Sequence, residues 1–392
     1  MPKEEVEHRV KVLRSTMEGK GVDLVWLDFL TDRIYFAGSI QNGVFLIPAE
    51  EDPKFFVKKS VERAEAESPL QVEPYPGRKG LVKRAKAFLG EKGRLGMAFD
   101  VTPASTYAWL KETLGDVEII DVGMPLRLQK AVKSGWEIAQ IERAAEQAVT
   151  VFKEMGEHFH AGMTELDLSG SIESRLRFLG HGGTLRLRGL GSDLPIITAV
   201  SGDSALFPTN FDGPSGGEGA SPYTAAGAGW RKIREGDTVI VDMVTSHNGY
   251  YADNARIFFV GNDIPERARQ AHAFCLNVLS RLESSMVPGK NCSAITKEIQ
   301  AWVESQGPPE GFMGYGENRV KFFGHGVGLE LDEFPILAEK MDLKLEPGMV
   351  IAVEPKAYLK GIGPVGVENT YVIAEKGCRS LCAAQQGIVG LE

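Results

Sequence analysis

The chain has 392 residues, beyond the size at which one hydrophobic core stops growing, so two domains are expected and a single small module is excluded. Its 43% hydrophobic and 25% charged residues are those of an ordinary globular protein, which excludes wholesale disorder and a membrane fold. Lys+Arg 44 against Asp+Glu 53 leaves a net charge of -9, with no broad attraction for phosphate backbones, so nucleic acid is not an expected partner.

The N-terminus, MPKEEVEHRVKVLRSTM, is charged throughout, and no run approaches the roughly 18 apolar residues of a membrane span. The expected compartment is the cytoplasm, with no membrane partner. Residues 1 to about 125 read as a small α/β unit with a helix near 4–19 and strands at 24–29, 43–48 and 55–59. The stretch 121–134 lacks a sustained period and is expected to be irregular. Ser134 and Glu137 then form a capping box that opens a long helix, so the chain divides into domains 1–130 and 131–392.

From Trp136, Ile138, Ile141, Ala145, Ala148, Val149 and Phe152 recur at three-to-four spacing, the mark of a helix with one buried stripe. A second helix opens at Thr164 and closes at the Gly180–Gly183 cluster. A strand near 195–200 and a loop rich in Gly, Pro and Ser (207–229) follow. TVIVDMV, the turn HNGY and YADNARIFFV then give a β-hairpin centred on Asn248-Gly249. Helices at 266–286 and 293–305, a strand near VKFFGHGVG, and strands in MVIAVEP and VGVENTYVIA repeat the order of two helices followed by antiparallel strands. A duplicated αα-ββ unit is the expected architecture. The four cysteines lack zinc-site spacing and read as reduced, buried thiols.

A two-residue turn at Asn248-Gly249 sets Val244 opposite Asp253 and puts Asp242 on the same face, where diagonal neighbours stand ~7–8 Å apart. Alone, this pair is equally compatible with two aspartates facing water. Glu354 ends the apolar strand MVIAV and Glu368 lies in VGVENTYVI, contexts where an unpaired charge is expensive to bury. His325 sits among Gly324, Gly326 and Gly328, which let the backbone approach a crowded centre. Taken singly, it is an ordinary structural histidine. Together, four carboxylates and one imidazole suit two divalent ions, with manganese first and cobalt, iron or zinc as alternatives. Two such ions ~3.5–4 Å apart repel by roughly four times the ~4 kcal/mol of a unit pair, which the four negative ligands offset. The same field acidifies a water between the ions and polarises a carbonyl, so metal-assisted hydrolysis is the expected reaction class.

The ordered set Asp242, D-x-x-R at Asp253 and Arg256, GHGVGLELDE around His325, VEP at Glu354 and GVEN at Glu368 resembles the pita-bread metallopeptidases, among them Xaa-Pro aminopeptidase, prolidase, methionine aminopeptidase and the metal-free creatinase. GVDLVWLDFLTDRIYFAG looks like that family's N-terminal domain, and LRLQKAVKSGWEIAQIERA like the opening of its catalytic domain. The resemblance implies an α+β protein, a small creatinase-like N-terminal domain followed by a pita-bread catalytic domain. It also implies Asp242, Asp253, His325, Glu354 and Glu368 as ligands of two ions, with Asp253 and Glu368 bridging and Glu354 shuttling a proton. The implied substrate is a dipeptide or short peptide cut before proline, and the implied assembly is a homodimer.

The chain departs from the pattern around those ligands. Family peptidases usually carry a histidine seven residues after the glycine of an S-G-x segment; counting from Gly202, the position is Thr209. A second histidine normally lies seven residues beyond the metal histidine, and here it is Asp332. An arginine often found two residues before the last glutamate is Gly366. Thr209 and Asp332 are therefore expected in substrate-contacting roles beside the catalytic Glu354, with Phe207, Phe211, Tyr223 and Trp230 as a candidate apolar pocket wall. Two alternatives stay open: hydrolysis or elimination on a small non-peptide substrate, as in creatinase, and a non-catalytic binding module. Among the remaining histidines, His158 and His160 read as solvated, His8 and His272 as surface or boundary positions, and His181 as a helix cap able to reach the pocket.

Overall fold

The computed structural model describes residues 1–189 and 193–391. Chain contacts divide it into two compact units, one of Met1–Lys130 with Arg188 and Gly189, the other of Ala131–Leu187 with the described residues from Asp193 onward. No helix among the described residues is long and apolar enough to cross a membrane.

The first unit is built on a six-stranded sheet of β1 (Leu24–Leu27), β2 (Gly43–Pro48), β3 (Lys54–Val57), β4 (Val72–Pro74), β5 (Arg94–Met97) and β6 (Glu118–Asp121), in the order β4-β3-β2-β1-β5-β6. Its helices are α1 (Lys3–Lys20), α2 (Leu30–Ala37), α3 (Val61–Glu67), α4 (Gly77–Leu89), α5 (Ala104–Leu114) and α6 (Gly123–Ala131). Leu81, Ala85 and Leu89 from α4 and Leu110 and Leu114 from α5 close over Leu24, Trp26, Leu46 and Leu95. Two expectations change here. Strands β4 to β6 hold only three or four residues each, too few for alternation to register, and 121–134 contains helix α6 where irregular chain was expected. Nine residues give that helix under three turns of periodicity, and Pro125 lies in the first turn, where a missing N–H is harmless.

The second unit opens with α7 (Gly135–Lys153), whose capping box pairs Ser134 Oγ with the Glu137 N–H and the Glu137 carboxylate with the Ser134 N–H. The short α8 (Met155–His158) and α9 (Glu165–Phe178) follow, α9 opened by a second reciprocal cap between Thr164 and Asp167. They pack on a sheet of β7 (Ile197–Ser201), β8 (Thr238–His247), β9 (Tyr250–Val260) and the C-terminal β17 (Val389–Leu391). The second half repeats the plan. Helices α10 (Glu266–Ser285) and α11 (Cys292–Gln306) cover a sheet ordered β11-β10-β12-β15-β16, formed by β10 (Phe322–Gly326), β11 (Glu333–Ala338), β12 (Val350–Val353), β15 (Asn369–Ala374) and β16 (Gly377–Ser380). A two-stranded ribbon, β13 (Lys356–Leu359) with β14 (Gly363–Gly366), completes it.

Strand alternation decides which residues meet. Val239, Val241 and Met243 of β8 pack beneath α7 and α9, so Ile240, Asp242 and Val244 point the other way. Ile351 and Val353 of β12 and Tyr371 and Ile373 of β15 pack beneath α10 and α11. The two sheets join where Ala255 and Glu368 exchange backbone hydrogen bonds at 3.2 Å. Each half thus buries one sheet face under its helices and turns the other toward its counterpart.

Replacing Ser134 by Ala removes one member of the α7 cap, and Ser134→Ala is expected to lower unfolding free energy by about 1 kcal/mol in denaturant titration, while Ser134→Asp keeps most of it.

Candidate metal centre

The hairpin register is the one expected from Asn248-Gly249. Val244 pairs with Asp253 and His247 with Tyr250, and the turn residues have φ 48 and 80°. Asp242 and Asp253 therefore share the inner face of this sheet. Asp253 is fixed through its backbone: its N–H donates to Thr370 Oγ1 at 2.9 Å and its carbonyl accepts from the same hydroxyl at 2.8 Å. Arg256, fully buried, donates to the carbonyls of Glu368 (2.9 Å) and Ala255 (2.8 Å) and to Asn369 Oδ1 (2.8 Å), stitching the Glu368 strand to β9.

His325 arrives from the opposite sheet. Its pairing with β11 shifts register on either side, an irregularity of the kind that re-aims a side chain. A Cβ at Gly324 would lie 2.2 Å from the Ala352 carbonyl oxygen, and one at Gly326 2.3 Å from that of Phe334, so the strand comes this close only with glycine there. The imidazole Nδ1 lies 3.1 Å from the Leu331 carbonyl and 3.3 Å from Asp332 Oδ1. Those acceptors hold the proton on Nδ1 and turn Nε2 inward. Nε2 stands 3.9 Å from both Asp253 Oδ2 and Glu354 Oε1, too far for a hydrogen bond and close to twice a metal–ligand bond of about 2.0–2.2 Å.

Donor atoms of Asp253, His325 and Glu368 all fall within 4.8 Å of one another. Asp253 Oδ1 and Glu368 Oε1 are buried with no hydrogen-bond donor. Burial, reinforced by the neighbouring carboxylates, raises the Asp253 carboxyl well above its ordinary range and pushes Glu368 up to about 8, despite Lys356 pulling the latter down. At His325 burial opposes a charge, but Asp332, Glu354 and Glu368 outweigh it and raise the imidazole. Neighbouring carboxylates thus raise Asp253, His325 and Glu368 alike. These residues fit a divalent cation.

A sixth side chain, which sequence reading passed over, stands among the expected ligands. Lys356, on β13 and fully buried, places Nζ 2.7 Å from Asp242 Oδ2, 2.9 Å from Glu354 Oε2 and 2.6 Å from Glu368 Oε2. Burial disfavours the ammonium, but the three carboxylates prevail and raise it well above the usual lysine range. Ser215, from the glycine-rich loop, donates to Asp242 Oδ2 at 2.7 Å and accepts from Lys356 at 3.1 Å; the Tyr358 hydroxyl lies 3.3 Å from it. Period-two alternation in KAYL was the available signal, since it sets Lys356 and Tyr358 on one face and Ala357 and Leu359 on the other.

The carboxylates and His325 open on a cavity of about 80 Å³ whose apolar wall includes Pro195, Phe211, Pro214 and Leu331. Thr209 lines this cavity. Asp332 is not among the residues that line it and stands behind the imidazole, with Oδ1 3.3 Å from Nδ1. Of the four aromatic candidates only Phe211 reaches this cavity; Tyr223 and Trp230 are 97% and 71% exposed. Their loop is anchored instead by Glu165, a buried carboxylate accepting from the N–H groups of Ser201 and Gly229 and the hydroxyls of Ser201 and Ser204. His181 is occupied with the Val244 carbonyl and the Gly183 N–H, and His158 with Ser171. His272, expected near the surface, is buried, with Nε2 2.7 Å from the Gln386 carbonyl and Nδ1 accepting from the Gly366 N–H. Cys275, Cys292 and Cys382 are buried free thiols, and Cys378 is half-buried.

Residues 9–132 match the creatinase/prolidase N-terminal domain and residues 139–375 match metallopeptidase family M24. An Xaa-Pro dipeptidase of Pyrococcus furiosus is 25% identical over 391 residues, covering 98% of this chain and all of that one. Among solved structures, the prolidase of Pyrococcus horikoshii superposes with a TM-score of 0.80 at 24% identity, covering 97% of this chain and 100% of that one. An X-Pro aminopeptidase of Thermotoga maritima superposes at 0.81 with 21% identity, covering 97% and 99%. The matched region exceeds half of the chain and coincides with the helices and sheets that carry the carboxylate cluster, and the protein belongs to metallopeptidase family M24, as a hydrolase with a creatinase-like N-terminal domain and a pita-bread catalytic domain.

Proposed function

We propose that the protein is a metal-dependent peptidase that cleaves the bond before proline in dipeptides or short peptides. The observation that carries this reading is the placement of the Asp253, His325, Glu354 and Glu368 side chains at a small cavity walled by Pro195, Phe211, Pro214 and Leu331. A pyrrolidine ring is a compact apolar group without an N–H, and such a wall asks for no hydrogen bond in return. The names of the relatives, Xaa-Pro dipeptidase and prolidase, support the same substrate class.

Asp253, His325, Glu354 and Glu368 are the residues that would hold the ion, with manganese the first candidate among the harder divalent metals. When bound, such an ion supplies Lewis acidity toward a carbonyl oxygen and acidifies water. Glu354 lines the cavity beside the imidazole, so its carboxylate is the one placed to take a proton and pass it to the departing amine. Asp332 and the Leu331 carbonyl keep His325 in the tautomer that offers Nε2. Thr209 presents a hydroxyl to bound substrate where family peptidases usually present a histidine. A homodimeric assembly and a cytoplasmic location accompany this reading, open to light scattering and cell fractionation.

The direct test is a turnover screen of manganese- and cobalt-loaded enzyme against Xaa-Pro dipeptides, longer peptides with proline in second position, and small C–N substrates such as creatine. Turnover confined to the Xaa-Pro compounds is expected; turnover confined to the non-peptides overturns the proposal. Asp253→Asn is expected to lose bound metal and turnover together, read by elemental analysis beside the assay. Asp332→Ala is expected to weaken metal affinity by about 10- to 100-fold while leaving the fold intact, measured by competition with a chelator. Thr209→His is expected to shift the ranking of substrates with unchanged metal content; an unaltered ranking removes Thr209 from the pocket wall.

A further inference from the structure

Lys356 has no part in the chemistry proposed above, yet it occupies the middle of the cluster. Resting on the reading that this cluster holds metal, we propose that the Lys356 ammonium stands permanently in the place of a second divalent ion. The chain then takes up one ion, held by Asp253, His325, Glu354 and Glu368, and the ammonium, with the Ser215 hydroxyl, serves Asp242.

Geometry leaves no room for a second ion on Asp242 Oδ2 and Glu368 Oε2 while Lys356 stays put. Nζ lies 2.7 Å from Asp242 Oδ2 and 2.6 Å from Glu368 Oε2. An ion bound by the same two oxygens at about 2.0–2.2 Å would fall inside the volume of the ammonium. The remaining oxygens divide accordingly. Asp242 Oδ2, Glu354 Oε2 and Glu368 Oε2 all face Nζ, whereas Asp253 Oδ1 and Glu368 Oε1 have no donor and Glu354 Oε1 faces the imidazole. One carboxylate edge is used by the lysine and the other is left for a metal.

Backbone packing keeps the lysine where it is. Lys356 pairs across the ribbon with Gly366, whose φ is 125° and whose N–H is held by His272 Nδ1. A Cβ on Gly366 would lie 2.4 Å from the Pro355 carbonyl oxygen and 2.6 Å from Lys356 Cα, so no side chain is accommodated there. The arginine expected at 366 from the family pattern is thus replaced by a cation on the neighbouring strand, one that points into the carboxylates. Ser215 and Tyr358 close the other side of the ammonium.

Charge agrees with geometry. Four carboxylates meet one ammonium and one dication, leaving a single negative charge, and repulsion between the two cations is half that of a pair of dications at equal separation. Adding a second dication beside the ammonium would reverse the net sign in a buried site.

The test counts ions. Full-length protein and Lys356→Ala are loaded with manganese, desalted and measured by mass spectrometry of the metal per chain. One ion in the wild type and a doubling in Lys356→Ala support the proposal. Two ions in the wild type, or one in both proteins, overturn it and leave the metal-site reading standing. No ion in the wild type overturns it, and no ion in either protein removes the metal-site reading as well. Because losing a buried cation can prevent folding, manganese anomalous scattering from wild-type crystals decides without a variant. A single peak beside Asp253 and His325, with Nζ still on Asp242, supports the proposal; a second peak at Asp242 overturns it.

Discussion

Four carboxylates gathered between facing sheet surfaces impose the constraint from which the rest of the catalytic unit follows. Asp253, Glu354 and Glu368 are buried and Asp242 is half-buried, the two aspartates on one hairpin and the two glutamates more than a hundred residues further along, and each is costly to bury alone. Burial first, and then the neighbouring carboxylates, raise Asp253 and Glu368 toward the protonated state, while Asp332, Glu354 and Glu368 raise His325 against its burial. A fold that keeps these groups together must therefore supply positive charge from within or from solution, and Lys356 supplies part of it from within.

Around that constraint the secondary structure is ordinary. Helices α7 and α9 shield one sheet and α10 and α11 the other, so each sheet spends its apolar face on helices and keeps its second face for the carboxylates. Arg256 and the Ala255–Glu368 bridge hold the sheets in register at the point where the carboxylates converge. Glu165 performs a parallel service for the glycine-rich loop, collecting donors from both its ends and so bringing Ser215 and Thr209 to the cavity.

Much of this was legible in the letters, and the exceptions have physical causes. Asn248-Gly249 dictates the hairpin register and hence the shared face of Asp242 and Asp253, because a two-residue turn leaves no freedom to slip. The caps at Ser134 and Thr164 are local chemistry and locate two helices to the residue. His325 was identifiable from its glycines, but its orientation depends on a register shift against β11 that only the folded sheet reveals. The place of Asp332 follows from that shift, behind the ring and against Nδ1. Lys356 was missed because a lysine in a short strand normally faces water; only the convergence of three carboxylates from other strands makes its burial possible. His272 was misjudged for a similar reason, its partners Gln386 and Gly366 lying about a hundred residues away.

The covalent attachment of that ammonium sets it apart from any diffusible ion. Chelators and scarcity act on what can diffuse away, and a side chain cannot. Asp242 and one edge each of Glu354 and Glu368 are thereby neutralised from the moment the ribbon folds, whatever the supply of metal in the surroundings. Assembly of the two halves is in this respect self-sufficient, and a protein starved of metal would keep its architecture on this side of the cluster.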